Sequence, residues 1–500
     1  MRVLLINSNQ FKQPWPVIPF GLCTIAAYVE NCGHGVSVLD LCFSEDTRKE
    51  IRNSIDFFEP DVIGISIRNI DNSAAYKTLF LLDEVKVNVI DHCKRYFSGP
   101  IVIGGPSVGI SGSEMLEFFG LEYAIIGDGE LAIGEFLKRL ETGRPLKDCP
   151  GLVIRKDGKI IKKNEPCLVP DLNRLPRPKP DIYVDVEKYA SYHCPIQIQT
   201  KRGCALNCYY CTYNRIEGTE WRLRDPELVA EDIDEIAQDT GLKNIEFVDS
   251  CFNIPLEHCK NILKACIKRN LKLNFRTMGL NPGAVDEELV RLLKKSGFTD
   301  IDCGVESGSD ATLKGLNKNF KKDDIYRAAR LLHKYKVPVT WYLLLGGPHE
   351  TEETLMETFA TMDDISSKWD LVNIGIGLRI YKGSPAVEAA TQQDPKVTSD
   401  NFLRPVAYQP KALDLDDLKR ITKTECLKRP NFYMYDEDEK MPLFVWGMLA
   451  KLFRTFASKQ PVWKAWILQR KLQQIFGILY IKRSIYRFKI SQGLKQQGVL

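Results

Sequence analysis

Several features that would classify this chain at once are missing from it. No apolar run in the 500 residues approaches the roughly 18 needed for a membrane-spanning helix. The opening "MRVLLINSNQF" has too short an apolar run for a signal peptide and no small-residue cleavage site after it, so it reads as a first β-strand. No GxGxxG follows that strand, which disfavours a nicotinamide or flavin dinucleotide. The 15 cysteines are an odd number without an export signal, and predict reduced thiols in the cytoplasm. Acid is absent from the last stretch: Met441 to Leu500 holds 11 Lys and Arg and no Asp or Glu, while the rest carries 58 basic and 65 acidic groups. That asymmetry marks 441–500 as a separate functional piece.

What is present is patterned. A chain this long is expected to form two or three domains. Apolar β-branched runs "RVLLIN", "GVSVLDL", "DVIGISI", "PIVIGG" and "YAIIGDGE" alternate with helical stretches over residues 1–145. The alternation predicts an α/β fold, a flavodoxin-like doubly wound parallel sheet whose ligand lies outside the carboxyl ends of the strands. Those ends are polar, small or glycine-rich. They hold Asn9 in "NSNQ"; Ser66, Arg68, Asn69 and Asp71 in "SIRNIDN"; Gly104, Gly105 and Pro106 in "GGPSVG"; and Gly127, Gly129 and Glu130 in "GDGE". Glycines there let a backbone approach a large flat ligand, although tight strand–helix turns need them equally. Residues 146–190 hold a hairpin, "LVIRKDGKIIKK", and a proline-dense stretch that reads as a semi-rigid linker.

A second βα series fills 191–390, with strands "IQIQT", "NIEFVD", "LNFRT", "DIDCGVE", "VPVTWYLLLGG" and "LVNIGIGLRIY". Six such units predict a (β/α)6 partial TIM barrel with its active face at the strand carboxyl ends. The polar groups at that level are Asp249, Arg276, Glu306, the Gly346–Gly347 turn and Arg379. Directly after the first strand comes "KRGCALNCYYC", with Cys204, Cys208 and Cys211. A zinc site needs a fourth ligand; His193 and Cys194 precede the strand and no second CxxC follows.

"CALNCYYC" resembles the CxxxCxΦC signature of the radical S-adenosylmethionine (SAM) enzymes. The resemblance implies that Cys204, Cys208 and Cys211 hold three irons of a 4Fe-4S cluster and that the cosubstrate chelates the fourth. Reductive cleavage would then give a 5′-deoxyadenosyl radical. It places Tyr210 near the adenine, Glu306 of "GVESGS" at the cosubstrate's polar end, and Gly346 and Gly347 of "LLLGGPHET" beside the adenine. It also draws Asp249, Arg276 and Arg379 into SAM binding. The sheet, linker and barrel together resemble the cobalamin-binding branch of that superfamily, and "GLRIYKGSP" matches its habitual sixth-strand end with Lys382 in place of proline. The strand-end residues of 1–145 listed above would then face cobalamin. No D-x-H triplet is present, so cobalt would be bound without a histidine, and His34 in "CGHGV" reads as a turn residue.

The resemblance implies a cobalamin-dependent radical SAM enzyme that methylates an unactivated carbon of a small or lipid-like metabolite, reduced by a flavodoxin or ferredoxin. Cyclisation or another carbon-skeleton reaction is an alternative, as is a non-catalytic iron–sulfur or cobalamin binding protein. Cys251 and Cys303 are candidate catalytic thiols, although buried cysteine is common in cores; Cys259 and Cys266 read as core. The region 391–500 is expected to be helical. Its basic, Trp- and Phe-rich end, 441–500, could lie on an anionic membrane face or cap the barrel. Nucleic acid is disfavoured, because no recognised binding module accompanies the charge.

Overall fold

The structure, a computed structural model, describes residues 1–12, 15–75, 78–192, 194–393, 403–434, 464 and 467. The basic segment 441–500 lies outside the described residues apart from those last two.

The first sheet is built as the alternation predicts. Strands β1 (Arg2–Asn7), β2 (Gly35–Asp40), β3 (Val62–Ser66), β4 (Ile101–Gly104) and β5 (Tyr123–Ile125) pair in parallel, in the order β2-β1-β3-β4-β5. Successive side chains enter opposite cores. Leu4, Ile6, Ile63, Ile65, Ile101 and Ile103 pack on one face, and Val3, Leu5, Val62 and Val102 on the other. Burial on both faces is why these strands read as unbroken apolar runs, and each buried Leu or Ile contributes roughly 1.5–3 kcal/mol. The hairpin β6 (Leu152–Lys156) and β7 (Lys159–Lys163) is not a separate connecting piece. It joins β5 antiparallel and extends this sheet to seven strands. Its inner residues Leu152, Val153 and Ile154 are apolar and complete the two cores.

The six barrel strands are β8 (Ile196–Ile198), β11 (Asn244–Phe247), β12 (Asn274–Thr277), β13 (Ile301–Glu306), β14 (Val339–Leu345) and β15 (Leu371–Ile376). Between β8 and β11 lie the two-residue strands β9 (Lys201–Arg202) and β10 (Arg222–Leu223), paired antiparallel. Every barrel pairing is parallel, in two ladders, β12-β11-β8 and β13-β14-β15, joined by bridges at Phe275–Phe298 and Leu280–Cys303. The outward faces carry Ile245, Phe247, Phe275, Ile301, Val305, Trp341, Leu343 and Val372, packed beneath the surrounding helices. The rings of Phe247, Phe252, Phe275 and Phe298 lie 4.6 to 5.9 Å apart at their centre.

The C-terminal region is not wholly helical. After the short pair β16 (Arg379–Ile380) and β17 (Val406–Ala407) comes the helix Leu415–Lys428. It returns the chain to β18 (Phe432–Met434), which pairs parallel with β15 as a seventh strand of the barrel wall. Phe432 and Met434 supply the apolar side that the wall needs there. Among the described residues no helix is long and apolar enough to cross a membrane.

Candidate active site

The loop after β8 is held from both sides before any cysteine appears. Asp249, at the end of β11, accepts from the Thr200 amide at 2.7 Å, the Thr200 hydroxyl at 2.9 Å and the Lys201 amide at 3.2 Å. The Lys201 ammonium lies 3.3 Å away. Asp249 is therefore a buried brace for the strand end, and its oxygens are committed there rather than to a cosubstrate. Arg202 then forms a bidentate pair with Glu130 at 2.7 and 3.0 Å and reaches Asp128 at 3.3 Å. Arg222 also pairs with Asp128. Gly203 follows at φ +93°, where an added Cβ would lie 1.9 Å from the Glu220 carbonyl, so only glycine fits. Its amide donates to Glu217, whose carboxyl burial pushes up to about 7.

Cys204 and Cys208 are buried and Cys211 half-buried. The three thiols lie within electrostatic reach of one another, and burial pushes Cys211 up to about 11. The Leu206 amide is hydrogen-bonded to the Cys204 sulfur and the Tyr213 amide to the Cys211 sulfur. Among the described residues no three His, Cys, Asp or Glu side chains converge on a single ion. Cubane thiolates each hold a different iron, so a cluster asks for no such convergence; soft sulfur donors, aimed amides and a nearby cation suit it. That cation is Lys318, buried within electrostatic reach of Cys208 and Cys211.

Lys318 belongs to a triad at the top of the barrel. The Tyr210 hydroxyl donates to Glu306 at 2.8 Å, and Lys318 lies 3.3 Å from Glu306 and 3.4 Å from the Tyr210 oxygen. The structure thus joins two residues that the sequence placed at the cosubstrate. Glu306 sits at φ +61°, a costly conformation for a non-glycine residue that turns its carboxylate to this group. Nothing in "LNKNF" distinguishes Lys318 from a surface lysine. Leu316, Leu378, Ile380 and Tyr408 form an apolar wall beside Tyr209 and Tyr210. Gly346 and Gly347 direct their amides to Glu350, whose carboxyl is pushed up to about 7 by burial.

Other strand-end charges hold each other. Arg276 gives its nitrogens to Glu246, Asp300 and Asp302 inside the barrel. Arg379 pairs with Asp71 at 2.8 Å, both side chains nearly inaccessible, and Tyr381 donates to Asp71 at 3.0 Å. Asp71, Glu130, Arg276 and Arg379, expected at cofactors, are partners in ion pairs. Gly127 is required because an added Cβ would lie 2.3 Å from the Cys167 carbonyl, and one at Gly129 would lie 2.8 Å from Ile25. Both glycines serve packing. Cys303 packs in the apolar shell behind its strand. Cys251 is buried but lies within electrostatic reach of Cys204, Cys208 and Lys318, and burial pushes its thiol up to about 12. His34 sits at the amino ends of the strands, 3.4 Å from Glu141.

The remaining strand-end residues form an open edge facing the loop. Gly104 has no atom within 4 Å of an added Cβ, and Gly105, at φ +104°, would clash with the Ile67 carbonyl at 2.8 Å. Gly105, Pro106 and Arg68 are exposed there, with Ser66 and Asn69 half-buried beside them. Asn9 is 7% exposed and its Nδ2 has no partner. An orphaned donor after β1 and bare glycine backbone after β4, two strands along the same sheet, fit a broad, polar ligand. The edge meets the cysteine loop directly. Arg68 lies within electrostatic reach of Tyr213 and Glu246, and Gly109 faces Ile216.

Comparison with known proteins follows this division. The Radical SAM superfamily matches residues 198–362, and the B12 binding domain matches residues 14–137. An uncharacterized methyltransferase of Pyrococcus horikoshii is 27% identical over 353 residues, 69% of this chain and 74% of its own. The tryptophan 2-C-methyltransferase of Streptomyces laurentii is 25% identical over 443 residues, 76% of this chain and 73% of its own. The fold is similar to that of the radical S-adenosylmethionine methyltransferase TsrM from Kitasatospora setae, solved with tryptophan and a SAM analogue bound. That likeness has a TM-score of 0.72 at 25% identity and covers 78% of this chain and 76% of the other.

Proposed function

The chain belongs to the cobalamin-dependent, methyltransferase-like radical SAM enzymes, and from that premise we propose that it methylates an unactivated carbon of a small molecule bound between the barrel and the first sheet. The observation that supports this best is adjacency. The open sheet edge approaches the helix that follows the cysteine loop at Gly109 and Ile216, with Arg68 within electrostatic reach of Tyr213, so two cofactors bound there would face one space. When bound, the cluster and SAM supply a 5′-deoxyadenosyl radical and cobalamin supplies the methyl group.

The chain's own residues divide the work. Cys204, Cys208 and Cys211 hold the cluster, and the Leu206 and Tyr213 amides tune the outer two sulfurs. Glu306 and Lys318 offer a carboxylate and an ammonium to the amino-acid end of SAM, and Tyr210, held by its hydroxyl to Glu306, lies by the adenine. Asn9, Ser66, Arg68, Asn69, Gly104, Gly105 and Pro106 receive cobalamin without a histidine. Burial beneath the Leu316, Leu378 and Tyr408 wall keeps water from a reactive radical. Reduction comes from a one-electron donor such as a flavodoxin or ferredoxin in the cytoplasm. The basic segment 441–500 supports peripheral contact with an anionic membrane, from which a lipid-like substrate could be drawn.

The test is anaerobic reconstitution with iron, sulfide and cobalamin, followed by dithionite and SAM. Methyl transfer yields 5′-deoxyadenosine together with S-adenosylhomocysteine. Deoxyadenosine alone would mark a cyclase or another radical reaction, and neither product would mark a binding protein.

A further inference from the structure

The barrel interior below the cysteine loop is polar where such interiors are ordinarily packed with branched aliphatic side chains. The strands contribute Gln197, Glu246, Arg276, Asp302, Tyr342 and Asn373. Gln197, Glu246 and Arg276 stand in register across β8, β11 and β12, and so share the inward face. Arg276 meets Asp302 at 2.9 Å, and Asn373 bonds Tyr342. Asp300 joins from the start of β13, 3.0 Å from Arg276. This floor holds three carboxylates against Arg276, with Arg68 of the facing sheet the second guanidinium in reach of Glu246.

Two acceptors there are left over. Asp302 and Gln197 are each 4% exposed, and Asp302 Oδ1 and Gln197 Oε1 have no hydrogen-bond partner. Buried orphan acceptors and a surplus of buried negative charge are both costly, and one hydrogen-bond-donating cation relieves both. Arg276 cannot serve an anion, because each of its nitrogens is given to a carboxylate. Burial raises Glu246 and pushes Asp302 up to about 7, in keeping with a missing counter-charge.

Above the floor the interior opens. Tyr342 is 36% and Met278 56% exposed, although both lie on inward-facing positions. Gly304 beside Tyr342 and Gly375 beside Leu344 add no side-chain bulk. Four residue steps along β13 lead from Asp302 to Glu306, about 13 Å at ~3.3 Å per residue.

We propose that the floor is a binding site for a protonated amino group, and that the substrate is an amine whose apolar body rises past Tyr342, Met278 and Leu344 toward the cysteine loop. The carbon that reacts is then remote from the nitrogen. What happens to that carbon rests on the methyl-transfer reading, whereas the amine site does not.

The test is calorimetric titration of cofactor-loaded, full-length enzyme at pH 7.5 with matched triplets differing in head group. These are tryptamine, tryptophol and indole-3-acetate; 2-phenylethylamine, 2-phenylethanol and phenylacetate; and octylamine, octanol and octanoate. The expected result is that the amine of at least one triplet binds about tenfold or more tighter than its partners, ~1.4 kcal/mol. Asp302→Asn and Glu246→Gln, each checked for retained cobalamin absorbance, should cut that preference to about threefold or less. Absence of amine preference in every triplet, or a preference that both variants keep, overturns the proposal. SAM cleavage is measured on the same wild-type preparation. Amine preference without cleavage sinks the methyl-transfer reading alone, and cleavage without amine preference sinks the amine site alone.

Discussion

Asp71 and Arg379, 308 positions apart, form a buried ion pair at 2.8 Å that ties the end of β3 to the end of the barrel's sixth strand. The surrounding contacts repeat the connection. Ser73 meets the Tyr381 hydroxyl at 2.9 Å, and an added Cβ at Gly377 would lie 2.4 Å from Ala75. Removing one partner leaves the other charge buried. Asp71→Asn should destabilise the protein by about 3–5 kcal/mol, whereas the double change Asp71→Leu with Arg379→Met should recover most of that loss. Urea unfolding of the three proteins checks both arms.

Cys208→Ala should lose the cluster's visible absorbance and reduce SAM cleavage to background while far-ultraviolet circular dichroism stays unchanged. Cys208 is buried in a loop whose backbone is fixed from outside it, by Asp249, Arg202 and Glu217. The fold should therefore not need its thiol, whereas a cluster held there would. Undiminished cleavage would remove the cluster assignment.

Lys318→Met removes a cation buried near Cys208 and Cys211. A cluster there then becomes harder to reduce, so its potential should fall by an amount on the order of tens of millivolts. Redox titration followed by electron paramagnetic resonance measures it. Lys318→Arg should retain most of the wild-type potential, which a purely structural role would not require.

Glu350 provides a pH test. Its ordinary value of 4.5 is raised by burial to about 7 in the folded protein, against donation from the Gly346 and Gly347 amides. The folded state holds this proton more tightly than the unfolded state. Stability from this group therefore falls as pH rises from about 4.5 to about 7, and the full cost of about 3 kcal/mol is present above that. Glu350→Gln should raise the unfolding temperature at pH 8 and leave it unchanged near pH 4, as scanning calorimetry would show.

The strands were legible because apolar β-branched residues alternate with helical stretches at spacings that allow few topologies. The cysteine loop was legible as a motif because three thiols fall within eight residues directly after a strand. That Tyr210 and Glu306 meet, at 2.8 Å, was legible from their shared assignment to the cosubstrate. The charges were not. Asp71, Glu130, Asp249, Arg276 and Arg379 stand where ligands are expected, yet their partners lie at Arg379, Arg202, Lys201, Asp302 and Asp71. A one-dimensional pattern records which charges reach the carboxyl edge of a sheet, not which of them will neutralise each other once two sheets close. Lys318 escaped because one of its two neighbours, Tyr210 of the cysteine loop, lies 108 positions away and the other, Glu306, is 12 positions back across a turn of chain.

Arg202 lies one residue before Gly203 and two before Cys204, and its guanidinium is locked to Glu130 at the start of the helix Gly129–Thr142 that follows β5. The joint between the halves and the anchor of the metal loop are thus the same residue. A clamshell that opened there would drag the loop with it, so the gap between the two cofactor positions behaves as a fixed gauge. On the proposed reading, turnover would then be completed by displacements of the small molecule inside that gauge, and a substrate too long or too short would be refused by distance alone.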